Sequence, residues 1–368
     1  MTPHPMLDPD GTLWNIAFAT GPDKNGESSS AWRYVIYKVG PPRTEEEYKN
    51  PWLGLEIVAE IPSSRSFAIS YLHSFFLTEN YLIFTEQPRI IGDLAKTMYE
   101  HIVKGLPLGA AMYWAKDDPL LFNVVEKSTG KIHPIKYEAD PMAFSHLINA
   151  YEENDHIILD APFRSSAEVY QIFQIKPLAS PPEQLREYMK ANSMPSMAIR
   201  WDLPLKVPAF DGEISQITSI GKSKVWVVGN STIYLHPEYL APPSQYKRHR
   251  SFEFGMINPK FSGKKYRYSY GLGFPTGYLV GAIMKLDVKE KMFVKFWEDP
   301  NCRATEPLFI PRPGSIEEDD GVVISVCLGT NKDNPTTSFV VLNPDLEELG
   351  RFSIPFATPV GFHGTWRP

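Results

Sequence analysis

Nine histidines punctuate the sequence: His4, His73, His101, His133, His146, His156, His236, His249 and His363. Four share a setting at or near the start of an apolar, strand-like run. His4 opens "HPMLDPDGTLWNIAFATGP", His73 sits in "YLHSFFLTENYLIFTEQP", His146 in "SHLINAYEENDHIILDAP", and His363 in "PFATPVGFHGTW". His101 falls in a helical candidate, and His133, His156, His236 and His249 lie at turns or beside charged residues, where they read as solvated side chains. Any one of the first four, alone, reads as a hydrogen-bonded core histidine; as a set they ask for one explanation, and metal ligation is the chemistry that needs several imidazoles. Neutral imidazole suits Zn, Cu, Fe and Ni, so the ligand type leaves the ion open. A closed structural zinc would be cysteine-rich and compactly spaced. Ligands scattered over nearly the whole chain fit a rigid centre with open coordination positions.

Such ligands must be carried by a repeating element. His73 is followed by the acidic turn Glu79-Asn80, a β-branched and aromatic run, and Pro88; His146 is followed by Glu152-Glu153-Asn154, a similar run, and Pro162. His4 precedes the turn Asp8-Pro9-Asp10-Gly11, and "EPLFIPRPGSIEEDDGVVISVCLG" (306–329) repeats the grammar without a histidine. The period of about 70 residues exceeds the roughly 40–50 of an ordinary propeller blade but fits a blade carrying insertions. Short runs such as "TLWNIAFAT", "WRYVIYKV", "LLFNVVEK", "AEVYQIFQI", "KVWVVG", "KYRYSYGLG", "MFVKFWED" and "TSFVVLN", with 34 prolines and 24 glycines, predict an all-β chain rich in hairpins. Radially repeated antiparallel sheets are the leading architecture. Innermost strands then line one axis, and histidines at matching places converge.

Composition narrows the partners. A chain of 368 residues that is 43% hydrophobic can bury a large core. The net charge of -6, with acidic and basic residues interspersed, excludes the basic stripe that nucleic acid requires. Two cysteines, Cys302 and Cys327, are too few for a disulfide framework and point to a reducing compartment, the cytoplasm. No apolar run reaches membrane-spanning length, and no secretory signal opens the chain. The segment "IIGDLAKTMYEHIVKGLPLGAAMYW" (90–114) is the best helical candidate; it reads as a core-facing helix or as an amphipathic element resting on a membrane surface.

The stretches "HSFFLTENYLIFTEQP", "FSHLINAYEEND", "EPLFIPRPGSIEEDDGVVISV" and "GFHGTW" closely resemble the carotenoid cleavage oxygenases, in the branch of the animal β-carotene oxygenases and the retinal pigment epithelium isomerohydrolase. "HPMLDPDGTLWN" resembles that family's first histidine motif. The resemblance runs along the whole chain. It implies a seven-bladed β-propeller in one domain over 1–368, with a helical cap and an insertion at about 90–114. It implies Fe(II) held by His4, His73, His146 and His363, with Glu253 in "SFEFG" and Glu306 in "TEPLF" accepting the N–H of ligand imidazoles. The family's N-terminal stretch, with a third such glutamate, has no counterpart, so the expected propeller is incomplete. Phe76 stands where the family has glycine, and "FEFG" replaces the commoner "FEFP".

By the same resemblance the expected activity is an iron-dependent dioxygenase, an oxidoreductase that splits a polyene double bond of a carotenoid such as β-carotene with O2. The products are aldehyde or ketone apocarotenoids such as retinal. Isomerohydrolysis of a retinyl ester on the same iron is the alternative reaction, and a degenerate carotenoid-binding propeller the non-enzymatic one. Phe163, Tyr170 and Phe254 are expected to line a substrate tunnel, the carotenoid or retinoid and O2 to be the partners, and 90–114 to touch a bilayer peripherally.

Overall fold

The computed structural model describes residues 1–21, 32–65, 68–92, 99–104, 112–166, 180–192, 195–207, 214–217, 219–220, 223–228, 232–247, 251–275, 281–331, 336–359, 361 and 363–366. The chain is all-β and forms two compact units. The first comprises Met1–Ser145 with Val207–Thr218 and Val225–His236; the second comprises His146–Lys206, Ser219–Lys224 and Pro237–Pro368.

In the first unit the Asp8–Gly11 turn builds the opening hairpin. Gly11 takes φ 86° and donates its N–H to the Asp8 carbonyl at 2.9 Å, while the Thr12 N–H caps Asp10 Oδ1 at 2.8 Å. Met6–Leu7 thereby pairs with Leu13–Ala19, which continues antiparallel through Arg33–Val39 to Leu55–Pro62. A second sheet runs Phe76–Leu77, Tyr81–Glu86, Leu120–Glu126, Lys136–Ala139, and then, by parallel pairing, Thr232–His236, Lys224–Val228 and Ile214–Ile217. A third joins Ile69–Ser70, Arg89–Ile91 and Met112–Trp114. Trp14, Ile16, Tyr34, Ile36, Phe75 and Phe84 fill the core of this unit.

Second-unit hairpins follow local chemistry as closely. Asn154 and Asp155 both take positive φ (50° and 62°), the two-residue turn whose twist matches the strands it joins, and Asn149–Glu153 pairs directly with His156–Phe163. Met197–Pro204 and Glu238–Tyr239 complete that sheet. Phe252–Met256, Tyr268–Gly273, Ala282–Asp287 and Met292–Trp297 form another. The last holds Cys302–Ala304, Leu308–Pro311, Gly321–Gly329, Thr337–Leu342 and Glu348–Ile354. Period-two alternation is plain in Gly321–Gly329, where Val323, Ser325 and Cys327 are buried between partly exposed neighbours.

The structure corrects the sequence reading in several places. The 90–114 segment is not one helix: Ile90 and Ile91 pair with Tyr113 and Met112 in the third sheet, and the helical part described is the single turn Tyr99–Val103. Its β-branched ends fit a pleated ladder better than a helix. Conversely, Pro182–Asn192 is an eleven-residue helix that the strand-rich reading did not single out. The run "AEVYQIFQI" lies outside the described residues. Cys302 and Cys327, read as too few for a disulfide framework and as a sign of a reducing compartment, are joined in a disulfide with Cα atoms 5.6 Å apart. Neighbouring strands bring them together, Ala304 lying opposite Cys327.

Candidate metal centre

In the first unit His4, in the loop before Met6–Leu7, and His73, in the loop between Ile69–Ser70 and Phe76–Leu77, turn their imidazoles toward one another. Their Nε2 atoms are 3.0 Å apart and both rings are half-buried. His73 Nδ1 lies 2.9 Å from the Tyr71 hydroxyl. Phe76, the bulky departure from the family pattern, is fully buried and packs against Phe144, ring centroids 5.4 Å apart.

In the second unit His146 and His363 come together, ring centroids 4.9 Å apart and nearly edge-on. His146 Nδ1 meets Glu253 Oε2 at 3.3 Å, and His363 Nδ1 meets Glu306 Oε1 at 3.1 Å. Glu306 Oε2 also accepts the Gly364 N–H at 2.9 Å, clamping the "HG" dipeptide. Glu253 is 3% exposed, the kind of buried carboxylate that must find partners. Arg164 Nη1 donates to its Oε1, and the Ser196 hydroxyl donates to the same oxygen at 2.9 Å. Burial pushes the Glu253 carboxyl up, but the Arg164 guanidinium, the His146 N–H and Ser196 outweigh it and hold the group at about 2.

The backbone around Glu253 is shaped for this placement. The ladder to Tyr268–Gly273 breaks register between Glu253 and Met256, and Phe254 takes φ 53°, a left-handed conformation unusual for a large side chain. The irregularity sends Glu253 inward and brings the Phe254 ring within 4.6 Å of His146 and 5.4 Å of His363. It also accounts for Gly255, since a Cβ there would lie 2.7 Å from Ile148 Cγ1.

Both pairs have the chemistry of a metal site. A carboxylate on Nδ1 fixes the N–H tautomer and ring angle, makes Nε2 the ligand atom, and raises its basicity. In the first unit the 3.0 Å Nε2 separation is what two ligands subtend at right angles around an ion with metal–nitrogen bonds of about 2.1 Å. Imidazoles without thiolate fit Fe, Zn, Cu or Ni.

The remaining expected residues divide. Phe254 reaches both second-unit histidines, whereas Phe163 is 2% exposed and packs edge-on to Trp201. Tyr170 lies outside the described residues, as does His249. Two histidines expected as solvated are not. His156 Nδ1 binds the buried Asp202 at 2.5 Å, and burial lowers the His133 pKa. Both follow from strand packing that local composition does not reveal. Arg164, Ser196 and Tyr71 were missed; Arg164 and Ser196 reach Glu253 across 89 and 57 residues, and no local signal marks them.

A family model described as retinal pigment epithelial membrane protein matches residues 1–368. The chain is 32% identical over 371 residues to the mitochondrial carotenoid-cleaving dioxygenase of Macaca fascicularis, covering 100% of this chain and 64% of that protein. It is 30% identical over 372 residues to beta,beta-carotene 15,15'-dioxygenase of Rattus norvegicus, covering 100% and 62%. The chain thus spans just under two thirds of the relatives it matches. Solved structures with the same fold include the Pseudomonas brassicacearum lignostilbene dioxygenase (TM-score 0.66, 21% identity, 100% of this chain and 66% of that one). A mutant Synechocystis apocarotenoid oxygenase is similar too (TM-score 0.67, 20% identity, 100% and 64%). The expected cytoplasmic location finds no support here, because the first of these relatives is mitochondrial by name. Among the described residues no helix is long and apolar enough to cross a membrane. The match along its whole length makes this chain a member of the retinal pigment epithelial membrane protein family of carotenoid oxygenases.

Proposed function

We propose that this chain carries the Fe(II) centre of a carotenoid dioxygenase, with His4, His73, His146 and His363 as ligands on one ion. The observation that carries the reading is the shared hydrogen-bond pattern, in which His146 and His363 each present Nδ1 to a glutamate. A seven-bladed propeller in one domain is the architecture that would bring the two pairs together. When bound, the iron supplies the redox chemistry with dioxygen. Overall, one C=C bond of the polyene breaks and each carbon takes one oxygen atom, so that alkene plus O2 balances to two carbonyl products. No protein group has to donate or accept a proton.

The chain's own residues position and exclude. Glu253 and Glu306 hold the imidazole N–H groups, and Arg164 keeps Glu253 ionised inside the core. Phe254 gives an apolar wall beside two imidazoles, suited to an apolar polyene and to keeping water out. Tyr99, Ile102 and Val103 are 54%, 66% and 65% exposed on one helical turn, which supports that turn as the place where the enzyme meets a bilayer to extract its substrate.

The test is anaerobic loading with Fe(II), metal analysis, and incubation with β-carotene under isotopically labelled O2. Labelled aldehyde products support the reading. A chain that takes up no stoichiometric iron under conditions that load a full-length relative defeats it. Conversion of retinyl ester but not β-carotene would move the assignment to isomerohydrolase.

A further inference from the structure

The two histidines of the first unit lead into different sheets, and one side chain joins the turns that follow them. His4 runs through Met6–Leu7 into the Asp8 turn of the first sheet, and His73 runs through Phe76–Leu77 into the Thr78-Glu79 turn of the second. Lys127, directly after Leu120–Glu126, reaches both turns. Its ammonium donates to Asp8 Oδ1 at 2.8 Å, to the Thr78 carbonyl at 3.1 Å and to the Glu79 carbonyl at 2.9 Å. We propose that Lys127 is a positioning residue for the His4 and His73 pair, a clip that sets the register of one sheet against the other and with it the separation of the two Nε2 atoms. The inference rests on the metal reading above and deepens it.

Within each sheet the histidine segment is held by backbone pairing: Met6 and Leu7 lie opposite Trp14 and Leu13, and Phe76 and Leu77 lie opposite Ile83 and Leu82. Between the sheets the contact is apolar. Trp14, Ile16, Tyr34 and Ile36 share one core with Leu77, Leu82, Phe84 and Val125, and the Tyr34 and Phe84 ring centroids are 4.7 Å apart. Apolar burial is non-directional, so it presses the sheets together without fixing how far one slides along the other. A ligand pair with Nε2 atoms 3.0 Å apart tolerates only about 0.5 Å of such slip. Lys127 supplies the directional bonds across the gap, at the end of the sheets where the two histidine segments turn.

The chemistry of the clip suits that role. An ammonium has three N–H donors, and here each has its own acceptor, so the side chain is confined to one arrangement. The Lys127 backbone N–H donates to the Asn80 carbonyl at 2.9 Å, which anchors the clip on the second sheet at both of its ends. On the first sheet Asp8 is fixed in turn, because its Oδ2 accepts the Trp14 indole N–H at 2.8 Å, and the ammonium lies 5.4 Å from the Trp14 ring centroid. The Lys127 and Asp8 side chains are 11% and 16% exposed, so solvent competes little for the pair. Ion pairs contribute more dependably to register than to stability, and removing this one should therefore disturb the metal site more than the fold.

The experiment titrates the full chain, Lys127→Met, Asp8→Asn and the double variant with Co(II), whose visible d–d bands report ligand geometry. The expected result is one Co(II) per parent chain, about 10-fold weaker binding with displaced bands in Lys127→Met, the low end of the range for groups that orient metal ligands. Asp8→Asn should shift affinity and bands in the same direction, and the double variant should be no worse than Lys127→Met, because the two side chains act as one unit. A parent that loads while Lys127→Met matches its affinity and bands overturns the role of Lys127 alone, as does a double variant in which the two losses simply add. A parent that binds no Co(II), or a His73→Ala variant that binds as the parent does, overturns the metal reading and this inference with it.

Discussion

Replacing Glu253 by glutamine separates two jobs that one carboxylate performs. Its negative charge balances Arg164, whose side chain is 8% exposed, and its Oε2 orients His146. The carboxyl lies at about 2 against an ordinary 4.5; at about 1.4 kcal/mol for each tenfold in proton affinity, that is worth about 3 kcal/mol of folding stability. Leaving a buried charge without its counterion costs about 3–5 kcal/mol by an independent route, so the two magnitudes agree. Because the folded-state pKa is lowered, this stabilisation is fully present above about pH 4.5 and disappears as the pH falls toward 2. Denaturant unfolding of the metal-free protein should show Glu253→Gln about 3 kcal/mol less stable at pH 7, with a flatter loss of stability between pH 4.5 and 2. Adding Arg164→Met should restore most of the stability but none of the metal affinity, since His146 still lacks its acceptor. Equal stability of parent and Glu253→Gln at pH 7 would refute the argument, as would an unchanged acid slope.

His146→Ala should abolish iron binding, whereas Glu306→Gln should weaken it by about 10–100-fold; metal analysis after dialysis distinguishes them, and equal losses contradict the assigned roles. Glu306→Gln should cost under about 1 kcal/mol in metal-free stability, because it strands no buried cation and its site is more open. Gly255→Ala forces a methyl to 2.7 Å from Ile148 Cγ1 and should destabilise by about 1–3 kcal/mol in the same denaturation assay. Cys302→Ser, or reduction of the parent, should cost about 3 kcal/mol by releasing a loop of sequence separation 25; no change in midpoint on reduction would contradict the disulfide's role.

How much of this was legible in the sequence depends on which interactions are local. Hairpins whose turns carry their own instructions, such as Asp8–Gly11 and Asn154-Asp155, could be read directly, and with them the strands they join. The four histidines stood out because a titratable group heading an apolar run is a local anomaly. Their partners are not local: Glu253 lies 107 residues from His146 and Glu306 lies 57 from His363. Only the resemblance to a known family pointed to the two glutamates. Arg164 reaches Glu253 across 89 residues, and nothing in "PFRSS" announces it. The ends of 90–114 were misread because short apolar runs serve helix and strand alike until a pairing partner decides, and here each end is the other's partner. The cysteines were judged by number, which says nothing of two adjacent strands delivering them to each other.

The parallel pairing of Lys136–Ala139 with Thr232–His236 has a consequence for biogenesis. A ribosome adding about 5–20 residues per second needs on the order of 5–20 s to make the roughly one hundred residues between these strands. During that interval Lys136–Ala139 is already laddered on one side to Leu120–Glu126 and offers its other edge to whatever strand arrives first. The first unit cannot finish folding as it is made; it must hold an open edge while most of the next sheet emerges, and that interval is when a chaperone or a wrong neighbour has its opportunity.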